Sequence, residues 1–287
     1  TQFSLKTQIV DESFTNGMTR RPALLGVLEP GRFSCIVIDQ ARQKVVLLKD
    51  YRIQDESRQL PDRVLTQILA KDTHLSELEA DKVLIGVCAP CSVLVPGPLF
   101  NKDTAGEVLG LACPVTEKDT ISSDTLSLTD AHLVYSIPTS LLESIGDRYK
   151  EFSLYHANTA FLRSQLMLNK HQPDALVSVN VRDRYLDIVV TRGSELLFSN
   201  SFFYESSEDF IYYLLLVLDQ MQLNPDVTET RFYGEIDKTS ANWMVSRKYI
   251  RNLVLGERPE GIEYSYGFER LNTAQFYVLF SQHLCVS

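Results

Sequence analysis

The most distinctive local motif in this sequence is a pair of cysteines separated by two residues, Cys88-Ala89-Pro90-Cys91. After a strand, this spacing is typical of thioredoxin-like redox centres, in which a helix N-terminus lowers the pKa of the first thiol. Here the next residues, 92–96, form an extended pattern instead of a helix. A zinc site would need two further ligands, and the sequence has neither a second such cysteine pair nor two histidines at zinc-finger spacing. A redox pair, part of a metal site and two ordinary cysteines near a strand end all stay open.

Other side chains capable of chemistry are scattered. Asp183 and Asp187 lie on or beside one predicted hairpin, where they are either a paired-carboxylate site or a turn residue and a solvent-facing strand residue; we expect the latter. Arg182 and Arg184 could bind an anion with their side chains, but a solvated hairpin tip explains them more simply. No serine-nucleophile elbow G-x-S-x-G occurs, and the histidines match no metal or triad pattern (His74, His132, His156, His171 and His283).

Composition argues against nucleic acid and membrane as partners. The formal net charge is −9, whereas general affinity for phosphate backbones needs clustered Lys and Arg. Tyr212 and Tyr213 are therefore expected in the core rather than on a base-stacking platform, since no basic face accompanies them. The longest strongly apolar run, residues 210–218, is far shorter than the ~20 residues that span a bilayer. We expect neither nucleic-acid binding nor a transmembrane segment.

The cysteine count and the first residues indicate a compartment. Five cysteines form an odd, sparse set without disulfide-framework spacing. Residues 1–14 show no basic segment followed by an apolar one, so no signal peptide is expected. A reducing, cytoplasmic location fits these observations. The length of 287 residues exceeds what one core usually supports, which favours two domains.

One stretch of the sequence occurs twice. Residues 23–51 repeat residues 175–204, and at an offset of 152 residues 23–38 align with 175–190 without a gap, with matches that include Ala23 with Ala175, Val27 with Val179, Arg32 with Arg184, Ile36 with Ile188 and Val37 with Val189. Each copy reads as three strands joined by tight turns. A helix and another strand follow in each copy, and this order places Gly234 where Gly86 lies. The sequence therefore predicts an internal duplication.

The predicted helices and strands outside the repeated stretch complete two domains. The helices after the two copies cover residues 57–71 and 210–223, the second capped by Ser206 with Asp209 at capping-box spacing. Between the copies we expect helices at 101–113, 138–149 and 158–170, the last with Asn158 as its N-cap. After them come a helix at 240–249, a strand at 252–255 and a final helix at 272–284. Gln172-Pro173-Asp174 marks the boundary between domains 1–172 and 173–287.

Two tandem copies of a three-strand meander, a helix and a parallel strand are the pattern of the actin-like ATPase superfamily. Within it the chain resembles a bacterial family of unknown function, and the segments that carry the resemblance are residues 92–100, 131–138, 175–190 and 231–236. This resemblance covers nearly the whole chain. It implies an α/β fold of two tandem ribonuclease-H-like domains, with mixed sheets and flanking helices. The family is similar in shape to actin-like components of bacterial secretion and pilus assembly.

The resemblance also implies where ATP and Mg²⁺ would bind. The superfamily uses an acidic residue and a glycine in the first hairpin of each domain, and adjacent glycines after a later strand of the second domain. The matching positions here are Glu29, Gly31, Asn180, Asp183 and Gly234. The pattern is degraded, because Pro30 removes one N–H, the turn 180–184 contains no glycine, and Glu235 replaces a glycine.

These departures lead to two functional expectations. The first is a non-catalytic module, with no resident cofactor, that binds another protein in the cleft between domains or at a sheet edge. The alternative is a weak ATPase or small-molecule kinase of the interdomain cleft, in which Glu29 and Asp183 serve Mg²⁺ and the attacking group. A third, remoter option is redox sensing by Cys88 and Cys91.

Overall fold

A computed structural model of the chain describes residues 3–14, 22–54, 60 and 62–285. Its strands are β1 Phe3–Val10, β2 Pro22–Glu29, β3 Arg32–Asp39, β4 Lys44–Ile53, β5 Lys82–Val87, β6 Ser92–Pro96, β7 Asp119–Leu126, β8 Ala131–Pro138, β9 Ser153–His156, β10 Ala175–Val181, β11 Tyr185–Arg192, β12 Glu195–Phe203, β13 Glu229–Gly234, β14 Leu253–Leu255 and β15 Glu263–Tyr264. Its α-helices are α1 Asp62–Lys71, α2 Ala105–Ala112, α3 Thr139–Gly146, α4 Ala157–Asn169, α5 Ser207–Gln220, α6 Ala241–Ser246 and α7 Tyr277–Ser281. The chain divides into two compact units.

The first unit comprises Thr1–Ala160, Glu260–Arg270 and Gln282–Ser287. Its main sheet has the strand order β1-β4-β3-β2-β5-β9, with β15 also paired to β4. The three strands of the meander are antiparallel, while β5 runs parallel to β2. A smaller sheet has the order β6-β8-β7. The mixed α/β architecture expected from the sequence is therefore present in this unit.

Two cores stabilise the first unit. Alternate residues of β2 and β3, among them Leu28 and Phe33, pack with α1 and α3 in the larger core. These positions are fully buried, and each such side chain contributes about 1.5–3 kcal/mol relative to exposure. A small satellite core lies between the β6-β8-β7 sheet and α2, where Leu109 and Val134 are also fully buried.

The second unit comprises Phe161–Pro259 and Leu271–Ser281. Its sheet has the order β12-β11-β10-β13-β14, and its core packs one face of that sheet against α5 and α6. The predicted capping box is confirmed: Ser206 accepts from the N–H of Asp209, and the Asp209 side chain accepts from the Ser206 N–H. One face of α5 is buried, through Phe210, Ile211, Leu214, Val217 and Leu218, whereas Tyr212 is exposed. The prediction that Tyr212 lies in the core is therefore wrong.

The two sheets share a strand order. The side chains that face the core in each sheet show, however, that the alignment of the two copies predicted from the sequence is out of register. Leu28 and Phe33 are paired across β2 and β3 and face the helix-covered core, and so do Val181 and Leu186 across β10 and β11. Leu28 then corresponds to Val181 and Phe33 to Leu186, an offset of 153 residues. The predicted offset of 152 is wrong, because a slip of one residue turns every side chain of a strand to the opposite face.

The same register separates the two glycines that the sequence matched. Gly86 pairs with Val27 in the first unit. Val27 corresponds to Asn180, and the partner of Asn180 in β13 is Tyr233. The predicted equivalence of Gly86 and Gly234 is therefore wrong by one position.

Several helix ends differ from their predicted positions. Helix α4 begins at Ala157, and the N–H of Asn158 donates to Nδ1 of His156 at 3.1 Å, so Asn158 is not the N-cap. The final helix, α7, is confined to Tyr277–Ser281 and continues as a 3-10 turn. Helix α1 begins later than predicted, and of its predicted first turn, residues 57–59 and 61 lie outside the described ranges. Across the described residues, none of the helices combines the length and apolarity that crossing a membrane would require.

Candidate functional site

The β10–β11 hairpin, where the resemblance places a phosphate-binding turn, is closed by a buried carboxylate. Asp187 on β11 is 1% exposed and lies opposite Asn180 of β10. Arg182 donates to it from Nε at 2.9 Å and from Nη2 at 2.7 Å. Asn180 Nδ2 donates at 3.0 Å and Ser201 Oγ at 2.6 Å. Both carboxylate oxygens are thus engaged by side chains of the hairpin and of β12.

The electrostatics of Asp187 match this geometry. Burial alone would raise the pKa of Asp187, but the Arg182 guanidinium and the hydrogen bonds from Arg182, Ser201 and Asn180 together hold the pKa below its ordinary value. The carboxylate is therefore ionised at neutral pH, and its charge is balanced by the largely covered guanidinium of Arg182. The prediction of a solvent-facing strand residue at this position is wrong.

Arg182 is held in place from three directions. Its guanidinium forms the bidentate pair with Asp187 and lies over the Tyr185 ring, 4.9 Å from the ring centre. Its backbone carbonyl accepts from the Tyr204 hydroxyl at 2.8 Å, and its N–H donates to the carbonyl of Tyr185 at 2.8 Å. The side chain is only 11% exposed. The predicted solvated tip is therefore wrong for Arg182, which is a structural residue.

The outer part of this hairpin does match the sequence prediction. Asp183 and Arg184 are exposed, and Arg184 reaches the carboxylate of Glu205 only at 3.9 Å, with both side chains more than half exposed. A pair of this kind contributes at most about 1 kcal/mol. Asp183 and Asp187 do not form a paired-carboxylate site, since one is at the solvated tip and the other lies in the buried network.

Gly234 is brought beside this network by the end of β13. It pairs with Val181 and has a φ of +85°, a value that favours glycine. A Cβ on Gly234 would clash with the carbonyl oxygen of Val181 and would lie 2.7 Å from Oδ1 of Asn180. Its N–H donates to the carbonyl of Ala274 at 2.8 Å. The glycine at this position is thus explained by close approach to its own hairpin.

The β2–β3 hairpin of the first unit has a different tip. Glu29 and Arg32 are paired, and Pro30 and Gly31 form the turn between them. Gly31 has a φ of +81°, as at the third position of a type II turn. Its carbonyl accepts from the N–H of Ile53 at 2.8 Å. The predicted site residues of the first unit thus lie at a tight turn.

Below that turn lies a second buried arginine–aspartate pair. Arg32 Nε donates to Asp50 at 2.6 Å, and Ser34 Oγ donates to the same oxygen at 2.7 Å. The Arg32 and Asp50 side chains are 8% and 5% exposed. Each unit therefore contains one buried carboxylate balanced by one arginine and one serine below its first hairpin.

The second hairpin does not fit a bound Mg²⁺–nucleotide. A phosphate-binding turn offers free backbone N–H groups and a carboxylate open to hydrated Mg²⁺. Here the buried carboxylate of Asp187 is already engaged by protein donors, the N–H of Arg182 is used within the turn, and residues 182–184 include no glycine. Only Asp183 presents an exposed acid, and it lies at the tip, outside the network.

The cysteine motif has a different pairing from the one considered in the sequence. Cys91 forms a disulfide with Cys113, 22 residues away, which links β6 to the end of α2 beside the satellite core. Cys88 is buried outside this disulfide. The sensing pair Cys88–Cys91 and a zinc site using both sulfurs are therefore wrong for this structure. The sequence argued for a reducing compartment because its cysteines show no disulfide-framework spacing. The Cys91–Cys113 disulfide weakens that argument, so the cytoplasmic location stays a prediction.

Comparison with known proteins places the chain in a defined group. A family model described as "Protein of unknown function (DUF3822)" matches residues 12–253. No curated protein matches the chain. The resemblance expected from the sequence is confirmed: this match shows the family of unknown function, and the structural similarities below show the actin-like ATPase fold.

Two solved structures are similar over most of the chain. One is a Bacteroides thetaiotaomicron protein with an actin-like ATPase fold and unknown function, with a TM-score of 0.76 and 20% identity, covering 85% of this chain and 93% of that one. Another is a PilM–PilN type IV pilus biogenesis complex, with a TM-score of 0.61 and 12% identity, covering 92% and 98%. At these identities the similarity shows the fold alone, which is that of the actin-like ATPases.

The sequence offered one overlooked signal for the Asp187 network. Asp187 is the single charged residue within the apolar run Leu186–Val190. An acid at such a position, buried on a central strand, requires a partner. Arg182 is the nearest cation that can reach back across the turn on the same face, so an ion pair at the base of the hairpin was open to prediction.

Proposed function

Since the chain belongs to the DUF3822 family, whose function is unknown, we propose a role from its own geometry: an actin-like ATPase-fold module that binds another protein and does not hydrolyse ATP. We further propose that its halves, residues 1–172 and 173–287, are tandem ribonuclease-H-like domains derived from one duplicated module, although residues 161–172 belong to the second compact unit and Glu260–Arg270 and Gln282–Ser287 to the first. The strand orders β4-β3-β2-β5 and β12-β11-β10-β13 support the duplication.

The closed network around Asp187 is the single observation that carries the proposal. A nucleotide phosphate that bound Arg182, whose side chain is 11% exposed, would have to draw it away from Asp187. Removing Arg182 from Asp187 would leave an unpaired carboxylate in the interior, a loss of about 3–5 kcal/mol. A phosphate contact at this position would therefore begin with a penalty comparable to the free energy of millimolar binding, about 4 kcal/mol.

Backbone geometry adds a second obstacle to catalysis. Tight phosphate binding uses several N–H groups presented by glycines. In the first hairpin Pro30 has no N–H. Beside the second hairpin, at the end of β13, Gly234 is followed by Glu235, whose N–H donates to the carbonyl of Val181 at 2.7 Å and whose side chain adds a negative charge. These features disfavour a bound polyphosphate at both turns.

Protein binding is supported by an intact fold whose nucleotide-binding turns are degraded. Two extensive cores keep the fold intact, although the turns that resemble the nucleotide site are degraded. The PilM–PilN structure is a complex of a protein with this fold in type IV pilus biogenesis. Because the fold carries many functions, that complex supports the possibility of a protein partner and identifies none.

Thermal unfolding with Mg-ATP tests the non-catalytic part of the proposal. We expect no change in Tm at millimolar Mg-ATP relative to MgCl2 alone. The alternative, an ATPase or kinase that uses Glu29 and Asp183, predicts stabilisation of about 2.7 kcal/mol at a ligand concentration of about 100 Kd. A stabilisation of that size, lost in Asp183→Asn and retained in the matched tip variant Arg184→Gln, would contradict the proposal.

Partner binding is tested with the full chain. Affinity capture after brief cross-linking should return one reproducible protein partner, and the purified pair should co-elute in size-exclusion chromatography. Capture of no stoichiometric partner, combined with ATP turnover by the purified chain, would reverse the assignment. The Asp187→Asn variant, which is expected to unfold at a lower temperature, shows whether capture requires a folded second unit.

A further inference from the structure

One segment of the second unit has a charge opposite to that of the whole chain. Residues 238–256 contain four cations and no Asp or Glu, in a chain of net charge −9. The cations are Lys238, Arg247, Lys248 and Arg251, and all four are exposed. Met244 and Tyr249, in the same segment, are 54% and 53% exposed. The segment thus forms a basic surface with apolar side chains among the charges.

Part of this basic surface lines a groove. A cavity of about 520 Å³ lies beside β14, with Lys238 and Arg247 among its lining residues. Trp243 and Val254 supply apolar lining, and Val254 is 37% exposed. Glu257 is the one acid in the lining. The groove therefore combines a net positive charge with an apolar wall.

The backbone of β14 provides hydrogen-bonding groups at the same place. β14 is the terminal strand of its sheet, and in the described part of the chain it pairs only with β13. The carbonyl of Asn252 accepts from the N–H of Thr230, and the N–H of Gly256 donates to the carbonyl of Phe232. Polar groups of alternate residues in a strand point to opposite sides. Those of Leu253 and Leu255 therefore point away from β13, toward the open edge.

We propose that this groove binds an extended acidic peptide segment of a partner protein, which adds to the sheet along β14. The inference rests on the proposed protein-binding function and specifies the chemistry of the partner. The peptide backbone would bond to Leu253 and Leu255, its acidic side chains would pair with Lys238 and Arg247, and its apolar side chains would contact Trp243 and Val254. Strand addition supplies affinity through the backbone, and the charges select the sequence.

Other polyanions fit the groove less completely. Nucleic acid or an anionic membrane would use the four cations but not the outward N–H and C=O groups of Leu253 and Leu255. An acidic peptide matches the cations, the apolar wall and the strand edge together.

Fluorescence anisotropy with a labelled peptide of alternating valine and glutamate tests the proposal. The full chain should bind it and not bind the same peptide with lysine in place of glutamate. The double variant K238E/R247E should weaken binding at least about tenfold. The matched variant K102E/K118E, which reverses two exposed cations of the first unit, should bind as the unmodified chain does.

A second pair of variants isolates the backbone contribution. L255P removes the outward N–H at the open edge, a position where proline is tolerated in an edge strand. L255A removes the same side chain but keeps the N–H. We expect L255P to bind the acidic peptide several-fold more weakly than L255A, with similar Tm values for the two variants.

Three outcomes would overturn the inference: no binding of the acidic peptide at about 1 mM, equal binding by the unmodified chain and K238E/R247E, or charge-dependent binding of phosphatidylserine vesicles or single-stranded DNA without binding of the peptide. The proposed function would fail separately. If a captured protein partner binds K238E/R247E and the unmodified chain equally, only the location proposed here is wrong. If no partner exists and ATP is hydrolysed, the proposed function itself is wrong.

Discussion

Below both the β2–β3 and the β10–β11 hairpin a buried aspartate is bonded by a serine and an arginine, but the strands that carry these residues differ between the two units. In the first unit Ser34 on β3 pairs with Asp50 on β4. In the second, Asp187 on β11 pairs with Ser201 on β12. At the offset of 153 residues, Ser34 corresponds to Asp187, so the serine and the aspartate have exchanged strands.

The arginine has exchanged strands as well. Arg32 is the first residue of β3, after the turn, whereas Arg182 follows β10, before the tip. Both reach the buried carboxylate of their unit. The comparison shows that a buried aspartate at this position needs an arginine partner, whereas the strand that carries each of the two residues can differ. The tips above these pairs, residues 29–32 and 182–185, are equal in length and differ in sequence.

The largest effect should come from removing either carboxylate. Asp187→Ala leaves Arg182 without its buried partner and should lower the free energy of unfolding by about 3–5 kcal/mol. Asp50→Ala should act similarly through Arg32. Urea unfolding followed by circular dichroism measures both. A loss below about 1 kcal/mol in either variant would break the comparison, because that value is typical of exposed pairs.

The two glycines of the candidate site should differ in their tolerance of a side chain. Gly234→Ala combines a positive φ with a clash against the Val181 carbonyl, and we expect a loss of about 2–3 kcal/mol. At Gly31 the nearest atom to an added Cβ, the carbonyl oxygen of Ile53, is 3.7 Å away, so Gly31→Ala should cost about 1 kcal/mol. Thermal unfolding of the two variants compares them directly, and an equal loss would contradict the role of close approach at Gly234.

Acid should weaken the second hairpin through Asp187. Its pKa is lower in the folded chain than in the unfolded chain. Its stabilising contribution is therefore complete above the unfolded pKa of about 3.9 and is lost as pH falls through the lowered folded pKa. Each unit of that difference is worth about 1.4 kcal/mol. The difference in Tm between the unmodified chain and Asp187→Asn should shrink from pH about 5 to about 2.

Asp11 and Asp72 of the first unit also have lowered pKa values, so acid destabilises the Asp187→Asn variant too. For this reason the informative quantity is the difference between the two proteins at each pH. A difference that stays constant down to the lowest pH would show that ionisation of Asp187 contributes nothing to stability.

The smallest effects should come from the serines. Ser201→Ala and Ser34→Ala each remove one hydrogen bond to a carboxylate that keeps its arginine, with an expected loss of about 1 kcal/mol. Equal losses would strengthen the comparison between the exchanged positions. A much larger loss for one serine, measured by urea unfolding, would show that the two networks are not equivalent.

Features that depend on nearby residues were open to prediction from the sequence. The capping box of Ser206 and Asp209 was correct, because both partners lie within one helical turn. The meander order was correct too, since short turns force successive strands to pair. The tip residues Asp183 and Arg184 were correctly assigned to solvent. The fold class followed from this order together with the family resemblance.

Features that depend on contacts between residues distant in sequence could not be predicted from the sequence. Matching residue types favoured an offset of 152, and only the buried faces of β2 and β10 showed that 153 is correct. The pairing of Cys91 with Cys113 joins residues that are distant in sequence. The burial of Asp187 follows from its position on the central part of the sheet, which composition and spacing leave open.

The sequence by itself therefore determined the order of strands and helices, because hydrophobic periodicity and turn chemistry act over a few residues, and its resemblance to a known family implied the actin-like ATPase fold. Only the tertiary structure decided that Arg182 and Asp187 close the second hairpin and that Lys238 and Arg247 line a groove beside β14. The physical reason is that strand register decides which side chains meet and which are removed from water. An ionised group needs no partner in water, but in the protein interior it must be paired and hydrogen-bonded.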